Sequence, residues 1–228
     1  ASLLEEWDRE HTWHPFAQTA EREVFSPMRI AGGEGCWLLD ANGNRYLDGY
    51  ASTWTNVHGH GEPSLNRAIA DQLEQMAHST YLGLAHDPGT ILAKRLSDAA
   101  PSNLQRVFYS DNGSTAVEVA LKLSLRYWQL VGKPECTTIV AMNGAYHGDT
   151  FGTMSLGTDG PFTEPWRKWT FPVRHFQSPA CIELDGEINH ADDVASLESL
   201  LRVLEEEGNK TAAVVIEPSV QGASGMLQ

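Results

Sequence analysis

Tyr109-Ser-Asp-Asn-Gly-Ser-Thr-Ala-Val-Glu-Val-Ala-Leu-Lys122 carries the clearest fold signal of this chain. It reads as the end of a short strand, Arg106–Tyr109, then a tight Asn112-Gly113-Ser114 turn, then a helix from Thr115 to about Leu130. A strand that turns directly into a helix places unpaired N–H groups and the positive end of the helix dipole at the turn, and that is an anion site. Gly113 lets the backbone approach a ligand and Ser114 adds a hydroxyl donor. A second Gly-rich segment, Asn143-Gly-Ala-Tyr-His-Gly-Asp-Thr-Phe-Gly152, carries an aromatic ring at Tyr146. A phosphate cradle with an aromatic plate beside it suits a flat, phosphorylated cofactor.

Outward from this stretch the pattern is α/β. Thr137–Ala141 and Thr211–Ile216 read as buried strands, and Val194–Glu207 as a helix between them. Residues 153–190 are rich in Pro and Gly and read as loop. Pro63–Met76 has apolar residues at Leu65, Ile69, Leu73 and Met76, and Thr90–Ala99 is a second helix stopped before Pro101. Residues 29–50 read as a small β-meander whose Asn42-Gly43 pair predicts a type I′ turn. Residues 1–30 read as an arm with a short polar helix. Strands alternating with helices predict a mostly parallel sheet, with ligands bound beyond the carboxyl ends of the strands. Asn112, the Tyr146 loop and Glu217 each follow a strand, so they are expected to meet at one edge. The expected organisation is an arm and meander over 1–60 and an α/β domain over 61–228.

The composition limits the partners. Of 228 residues 41% are hydrophobic and 20% charged, as in globular chains, and the formal net charge of -14 argues against nucleic acid and anionic membrane surfaces. No run approaches a membrane span, and the opening Ala1-Ser-Leu-Leu-Glu-Glu6 shows no basic region and no apolar core, so no signal peptide is expected from it. Cys36, Cys136 and Cys181 are far apart, without metal-ligand spacing, which fits a reducing, cytoplasmic setting. His58 and His60 sit two apart in a Gly-rich turn with no third ligand, so a structural role is favoured over a metal.

Six segments, in order along the chain, resemble one family. They are His11-Thr-Trp-His-Pro-Phe16, Arg45-Tyr-Leu-Asp-Gly49, His58-Gly-His60, Asp111-Asn-Gly-Ser-Thr-Ala-Val-Glu118, Tyr146-His-Gly-Asp-Thr-Phe-Gly152 and Ile216-Glu-Pro-Ser-Val-Gln-Gly222. The resemblance is to the fold-type I, class III aminotransferases that use pyridoxal 5′-phosphate, and within them to the members that convert 8-amino-7-oxononanoate to 7,8-diaminononanoate in biotin synthesis. It implies the N-terminal arm and first part of a large cofactor-binding α/β domain, a small-molecule amino donor, an oxo-acid acceptor, and a homodimer.

The resemblance also assigns roles. A helix cap alone would explain Asn112, Gly113 and Ser114; the resemblance adds the phosphate. Tyr146 would stack on the cofactor ring and face substrate, where a bare loop aromatic is the plainer reading. His147 and Asp149 are read as braces of that loop. Glu217 would join the charge network beside the ring; otherwise it is a solvated strand-end carboxylate. Trp54 would shape the substrate slot with Thr53, a small polar residue where related enzymes carry the other of two consecutive tryptophans. Phe16 stands where many adenosylmethionine-using members carry tyrosine, and it lacks that hydroxyl. These two departures leave open lysine or another amine as donor, and another class III aminotransferase acting on an ω-amino acid or diamine. The resemblance places the Schiff-base lysine and the carboxylate facing the pyridinium beyond Gln228, so the 228 residues correspond to the first half of such a protein and contain neither group. Lys94, Lys122, Lys133, Lys168 and Lys210 do not match the lysine's position. A ligand-binding relative without catalysis is the remaining alternative, and the chain alone is expected to be unstable because its sheet would keep an exposed edge.

Overall fold

Ser2 starts the first helix: its hydroxyl accepts from the Glu5 amide, and the Glu5 carboxylate accepts from the Ser2 amide, a reciprocal box over α1 (Leu3–His11). The computed structural model describes residues 2–18, 20, 27–158, 160, 162–179, 191–223 and 226–227. The chain divides into two units, Ala1–Arg95 and Leu96–Gln228.

The first unit holds the meander: β1 (Ile30–Glu34), β2 (Trp37–Asp40) and β3 (Arg45–Leu47), antiparallel in the order β1-β2-β3. Its second turn is not the type I′ turn that Asn42-Gly43 predicts. Only Gly43 has positive φ (85°), and the Gly43 amide donates to the Asp40 carbonyl while the Asp40 amide donates to the Asn44 carbonyl. This is a three-residue loop ending in a left-handed glycine. Buried Asp40 decides it, because its Oδ1 accepts the Asn42 and Asn44 amides, both at 2.8 Å, and draws the loop inward. After the meander comes α2 (Ala51–Trp54), one turn in which all four residues have positive φ, from 48° to 67°. None is glycine, and each L-residue in this conformation costs roughly 1–2 kcal/mol. Next come α3 (Pro63–Gln75), with Glu62 capping and Pro63 in its first position, and α4 (Asp87–Ala99), which begins three residues before the predicted Thr90. The 3.6-residue spacing of Leu65, Ile69 and Leu73 is realised, yet α3 buries none of its residues.

In the second unit Arg106–Tyr109 pairs with no strand among the described residues, contrary to the sequence expectation. A strand exists by its neighbour's hydrogen bonds, and β-type composition cannot supply one. The helix that follows, α5 (Gly113–Leu130), then β4 (Thr138–Met142), α6 (Phe151–Leu156), a 3-10 turn (Glu164–Trp169), β5 (Arg174–Phe176), α7 (Ala191–Glu207) and β6 (Thr211–Val215) build three layers. The sheet is parallel, ordered β5-β4-β6, with β4 in the centre. Ile139 and Ala141 of β4 face Leu121 of α5 and Leu156 of α6; Val140 and Met142 face Phe176 and Val203 of α7. Period-two alternation buried on both faces is why β4 reads as a continuous apolar run. The α/β class and parallel sheet thus follow the sequence reading. Residues 153–190 do not: α6, the 3-10 turn and β5 lie inside the stretch read as loop. α6 is buried over Gly152–Leu156, so it shows no amphipathic period, and β5 is only three residues long. Residues 180–190, with Cys181, lie outside the described residues. Beyond β6, β7 (Val220–Gln221) and β8 (Met226–Leu227) form a small antiparallel pair.

Candidate active site

Asn112 is extended (φ -160°) and caps α5: its Oδ1 accepts the Thr115 amide at 2.9 Å, while the Thr115 hydroxyl accepts the Asn112 amide at 3.2 Å. The helix therefore begins at Gly113, two residues before the sequence reading put it. With the Asn112 side chain committed to the cap, the groups left at the helix start are the Gly113 and Ser114 amides and the Ser114 hydroxyl. A Cβ built on Gly113 meets no other part of the described chain within 4 Å, so the space beside the helix start at Gly113 is open.

The loop after β4 comes to the same place. A Cβ on Gly148 would lie 2.0 Å from Ser114 Oγ and 3.1 Å from Ser114 Cα, and Gly148 has φ +126°. This glycine is what lets the Tyr146 loop lie against the first turn of α5. The Tyr146 amide donates to Glu217 Oε1 at 2.7 Å, and the Gly222 amide donates to Glu217 Oε2 at 3.0 Å. Gln221, fully buried, donates from Nε2 to the Asn143 carbonyl at 2.7 Å, and the Asn143 amide donates to the Phe176 carbonyl. The segments after β4, β5 and β6 are thereby tied together at the carboxyl edge of the sheet. Asn112, Gly113, Ser114, Tyr146 and Glu217 are one constellation.

Sequence reasoning missed a brace of this site. Glu118, one turn into α5, accepts from the Thr150 hydroxyl and from the Gly152 amide at 2.9 Å. A Cβ on Gly152 would fall 2.2 Å from the Glu118 carboxylate. The signal was available: Glu118 stands in the apolar stripe Val117, Leu121, Leu125, and a carboxylate there needs partners.

Tyr146 donates from its phenol to Asp149 Oδ2 at 2.8 Å. Partial burial, reinforced by the Asp149 carboxylate, pushes the phenol up to about 12, so Tyr146 stays a donor at neutral pH. Burial holds the His147 imidazole below its ordinary 6.5, opposed by the Glu217 charge, and His147 Nε2 is buried without a hydrogen-bond partner among the described residues. The sign follows from linkage. Between the lowered native value and 6.5 the unfolded chain binds a proton that the native chain does not, so stability falls as pH drops below about 6.5. We expect denaturant midpoints measured between pH 7 and 5 to fall less steeply in a His147→Gln variant; identical slopes would contradict the assignment.

The remaining candidates lie in the first unit. Phe16 is exposed with φ 59°, and Thr53 and Trp54 sit on α2, both exposed. Trp54 lines a cleft of about 380 Å³ together with Cys36, Asp48, Tyr50 and His60.

Pyridoxal 5′-phosphate, implied by the sequence resemblance, finds fitting residues in the second unit at its phosphate end: two helix-start amides, a hydroxyl and open space in front of Gly113. The family model described as Aminotransferase class-III matches residues 18–228. The chain belongs to the class-III aminotransferases. Among aminotransferases of this class it is 45% identical to the adenosylmethionine-8-amino-7-oxononanoate aminotransferase of Geobacter sulfurreducens, over 98% of this chain and 50% of that protein. The crystal structure of the enzyme of that name from Methanocaldococcus jannaschii superposes with a TM-score of 0.87 at 35% identity, covering 99% of this chain and 49% of that one. The omega transaminase from Pseudomonas Jessenii in complex with PMP superposes at 0.89 with 26% identity, over 100% of this chain and 51% of that one. This chain thus spans about half the length of the curated aminotransferases it matches. None of its described helices is long and apolar enough to cross a membrane.

Proposed function

We propose that these residues are the cofactor-binding half of a pyridoxal 5′-phosphate-dependent aminotransferase that converts 8-amino-7-oxononanoate to 7,8-diaminononanoate in biotin synthesis. The observation that carries the reading is the Glu217 clasp on the Tyr146 amide, with Gly148 laid on Ser114, which joins an anion-binding helix start, an aromatic and a carboxylate in one place. The 45% identity to the Geobacter sulfurreducens enzyme supports the substrate.

When bound, pyridoxal 5′-phosphate supplies the electron sink through which an amino group passes from a donor to an oxo acid. Gly113 and Ser114 would hold its phosphate, with Asn112 keeping their amides aimed by capping α5. Tyr146 would cover its ring, held at its amide by Glu217 and at its phenol by Asp149. Glu217 would add negative charge beside that ring. Phe16, Thr53 and Trp54 would line the substrate slot. Thr53 offers a hydroxyl and less apolar surface, and Phe16 offers no hydroxyl; both favour, as a second reading, a related class III activity on an ω-amino acid or diamine, and Phe16 leaves lysine or another amine open as the donor in place of adenosylmethionine. The working protein is taken as a cytoplasmic homodimer, with residues 1–60 as arm and meander and 61–228 as the first part of the large domain.

The test is a comparison of acceptors by the full-length protein loaded with cofactor, given adenosylmethionine or lysine as donor. The proposal expects kcat/KM for 8-amino-7-oxononanoate to exceed that for ω-oxo acids by about 100-fold or more, since a slot shaped to one substrate discriminates through several contacts. Preference for the ω-oxo acids would establish the second reading instead.

A further inference from the structure

The left-handed turn α2 is stabilised by a neighbour that the functional reading has not used. Asp48 is buried, and its carboxylate is spent wholly on this region: Oδ1 accepts the Ser52 amide at 2.9 Å, and Oδ2 accepts the Ser52 hydroxyl at 2.7 Å and His60 Nε2 at 2.8 Å. Asp48 itself is anchored, because its amide donates to the Cys36 carbonyl at 2.8 Å. His60 is anchored to the same tip of the meander: its amide and carbonyl exchange hydrogen bonds with Gly35, at 2.7 and 3.0 Å. Its ring packs so closely on Gly33 that a Cβ there would lie 2.7 Å from His60 Cβ. Both ends of the Asp48–His60 pair therefore rest on the β1–β2 turn, and Ser52 hangs from it. Backbone bonds complete the turn, with the Trp54 amide to Tyr50 and the Thr55 amide to Ala51, each at 2.9 Å. Four consecutive residues without glycine do not choose positive φ by themselves, so the conformation is imposed from outside.

We infer that Asp48 is a positioning residue for substrate: with His60 as its brace it holds Ala51–Trp54 left-handed, and so sets the direction in which Thr53 and Trp54 leave the backbone beside the cleft. The inference rests on the proposed role of Thr53 and Trp54 in the slot and deepens it. It gives the sequence segments Arg45–Gly49 and His58–His60 one joint task. Ser52 and His60 hydrogen bonds hold the Asp48 carboxyl below the usual range, with the Ser52 amide the largest contributor, so the grip is charged at neutral pH.

Asp48→Asn keeps the shape and the acceptor for the Ser52 amide, and loses the oxygen shared by the Ser52 hydroxyl and His60. In the full-length, cofactor-loaded protein with 8-amino-7-oxononanoate as probe, KM should rise at least about tenfold while kcat changes less than about threefold, since what is lost is the placing of the slot. Hydrogen exchange should quicken in peptides covering 49–57 and stay unchanged over 112–118. Adding Ala51→Gly and Ser52→Gly to Asp48→Asn should recover part of the loss, roughly threefold or more in KM, because glycine adopts positive φ without help. Unchanged KM and exchange in Asp48→Asn, or a glycine pair that only deepens the defect, would overturn the inference; the latter would mean that Asp48 serves substrate directly. If the unaltered protein ignores 8-amino-7-oxononanoate, the substrate reading fails, while the exchange measurement still decides whether Asp48 holds the turn.

Discussion

Gly148→Ala will loosen the site more than any other single methyl. Two costs add. The backbone at φ +126° is one that L-residues rarely adopt, which is worth about 1–3 kcal/mol. The new Cβ would also stand 2.0 Å from Ser114 Oγ, 2.7 Å from its Cβ and 3.1 Å from its Cα. The hydroxyl can rotate away, but the last two atoms belong to the first turn of α5, so the loop must lift, at about 1–3 kcal/mol more. The full-length protein should lose about 3 kcal/mol in denaturant titration, and its cofactor affinity should fall with the loop that carries Tyr146. A double variant separates the costs. Ser114→Gly in the Gly148→Ala background should return the steric part and leave the backbone part, so the pair should couple by about 1 kcal/mol or more. Strict additivity would mean that loop and helix start do not touch as described.

Glu217→Ala should have the second largest effect. It strands two backbone donors at once, the Tyr146 and Gly222 amides. Hydrogen bonds to a charged acceptor are worth about 1.5–3 kcal/mol each, and this half-buried site allows water to recover part, so a loss of roughly 2–4 kcal/mol is expected. Glu217→Gln keeps one acceptor and turns an NH2 toward the other amide, so it should recover only part of that loss. A second readout is independent of stability. The Glu217 charge favours protonated His147, so both variants should lower the His147 titration further in an NMR pH series. An unchanged or higher titration would place Glu217 elsewhere than beside that ring.

α5 and the central strand β4 were legible because their burial is written in local spacing. β4 alternates between two covered faces, α5 repeats Val117, Leu121 and Leu125 toward the sheet, and the Asn112-Gly113 start announces its own cap. What local spacing cannot write is a partner. Arg106–Tyr109 has strand composition and no strand beside it among the described residues. α6 is buried almost throughout, so the polar Thr153 and Ser155 look like loop until their hydrogen bonds to Thr150 and Phe151 are seen. The meeting of Asn112, the Tyr146 loop and Glu217 was expected from the sequence, although Asn112 follows no strand among the described residues, while the Glu118 brace was not expected. Glu118, Gly148 and Gln221 matter through contacts 34 to 78 positions away, which no window along the chain contains. Ala51–Trp54 is the extreme case: four residues with no preference for positive φ adopt it under Asp48, and only three-dimensional bookkeeping of hydrogen bonds exposes the cause.

Gly113→Asp shows whether the start of α5 seats the cofactor's phosphate. The side chain enters open space, since nothing lies within 4 Å of its Cβ, and a carboxylate in the first turn of a helix favours the helix by about 0.3–1 kcal/mol, so the fold should survive. It would face any phosphate held by the Gly113 and Ser114 amides, and like charges about 4 Å apart near a protein surface repel by about 4 kcal/mol. The measurement is the affinity of the full-length apoprotein for pyridoxal 5′-phosphate and for pyridoxal, which lacks the phosphate. The expected result is a loss of about 100-fold or more for pyridoxal 5′-phosphate and little change for pyridoxal. Equal, unchanged affinity for both would show that the phosphate lies elsewhere.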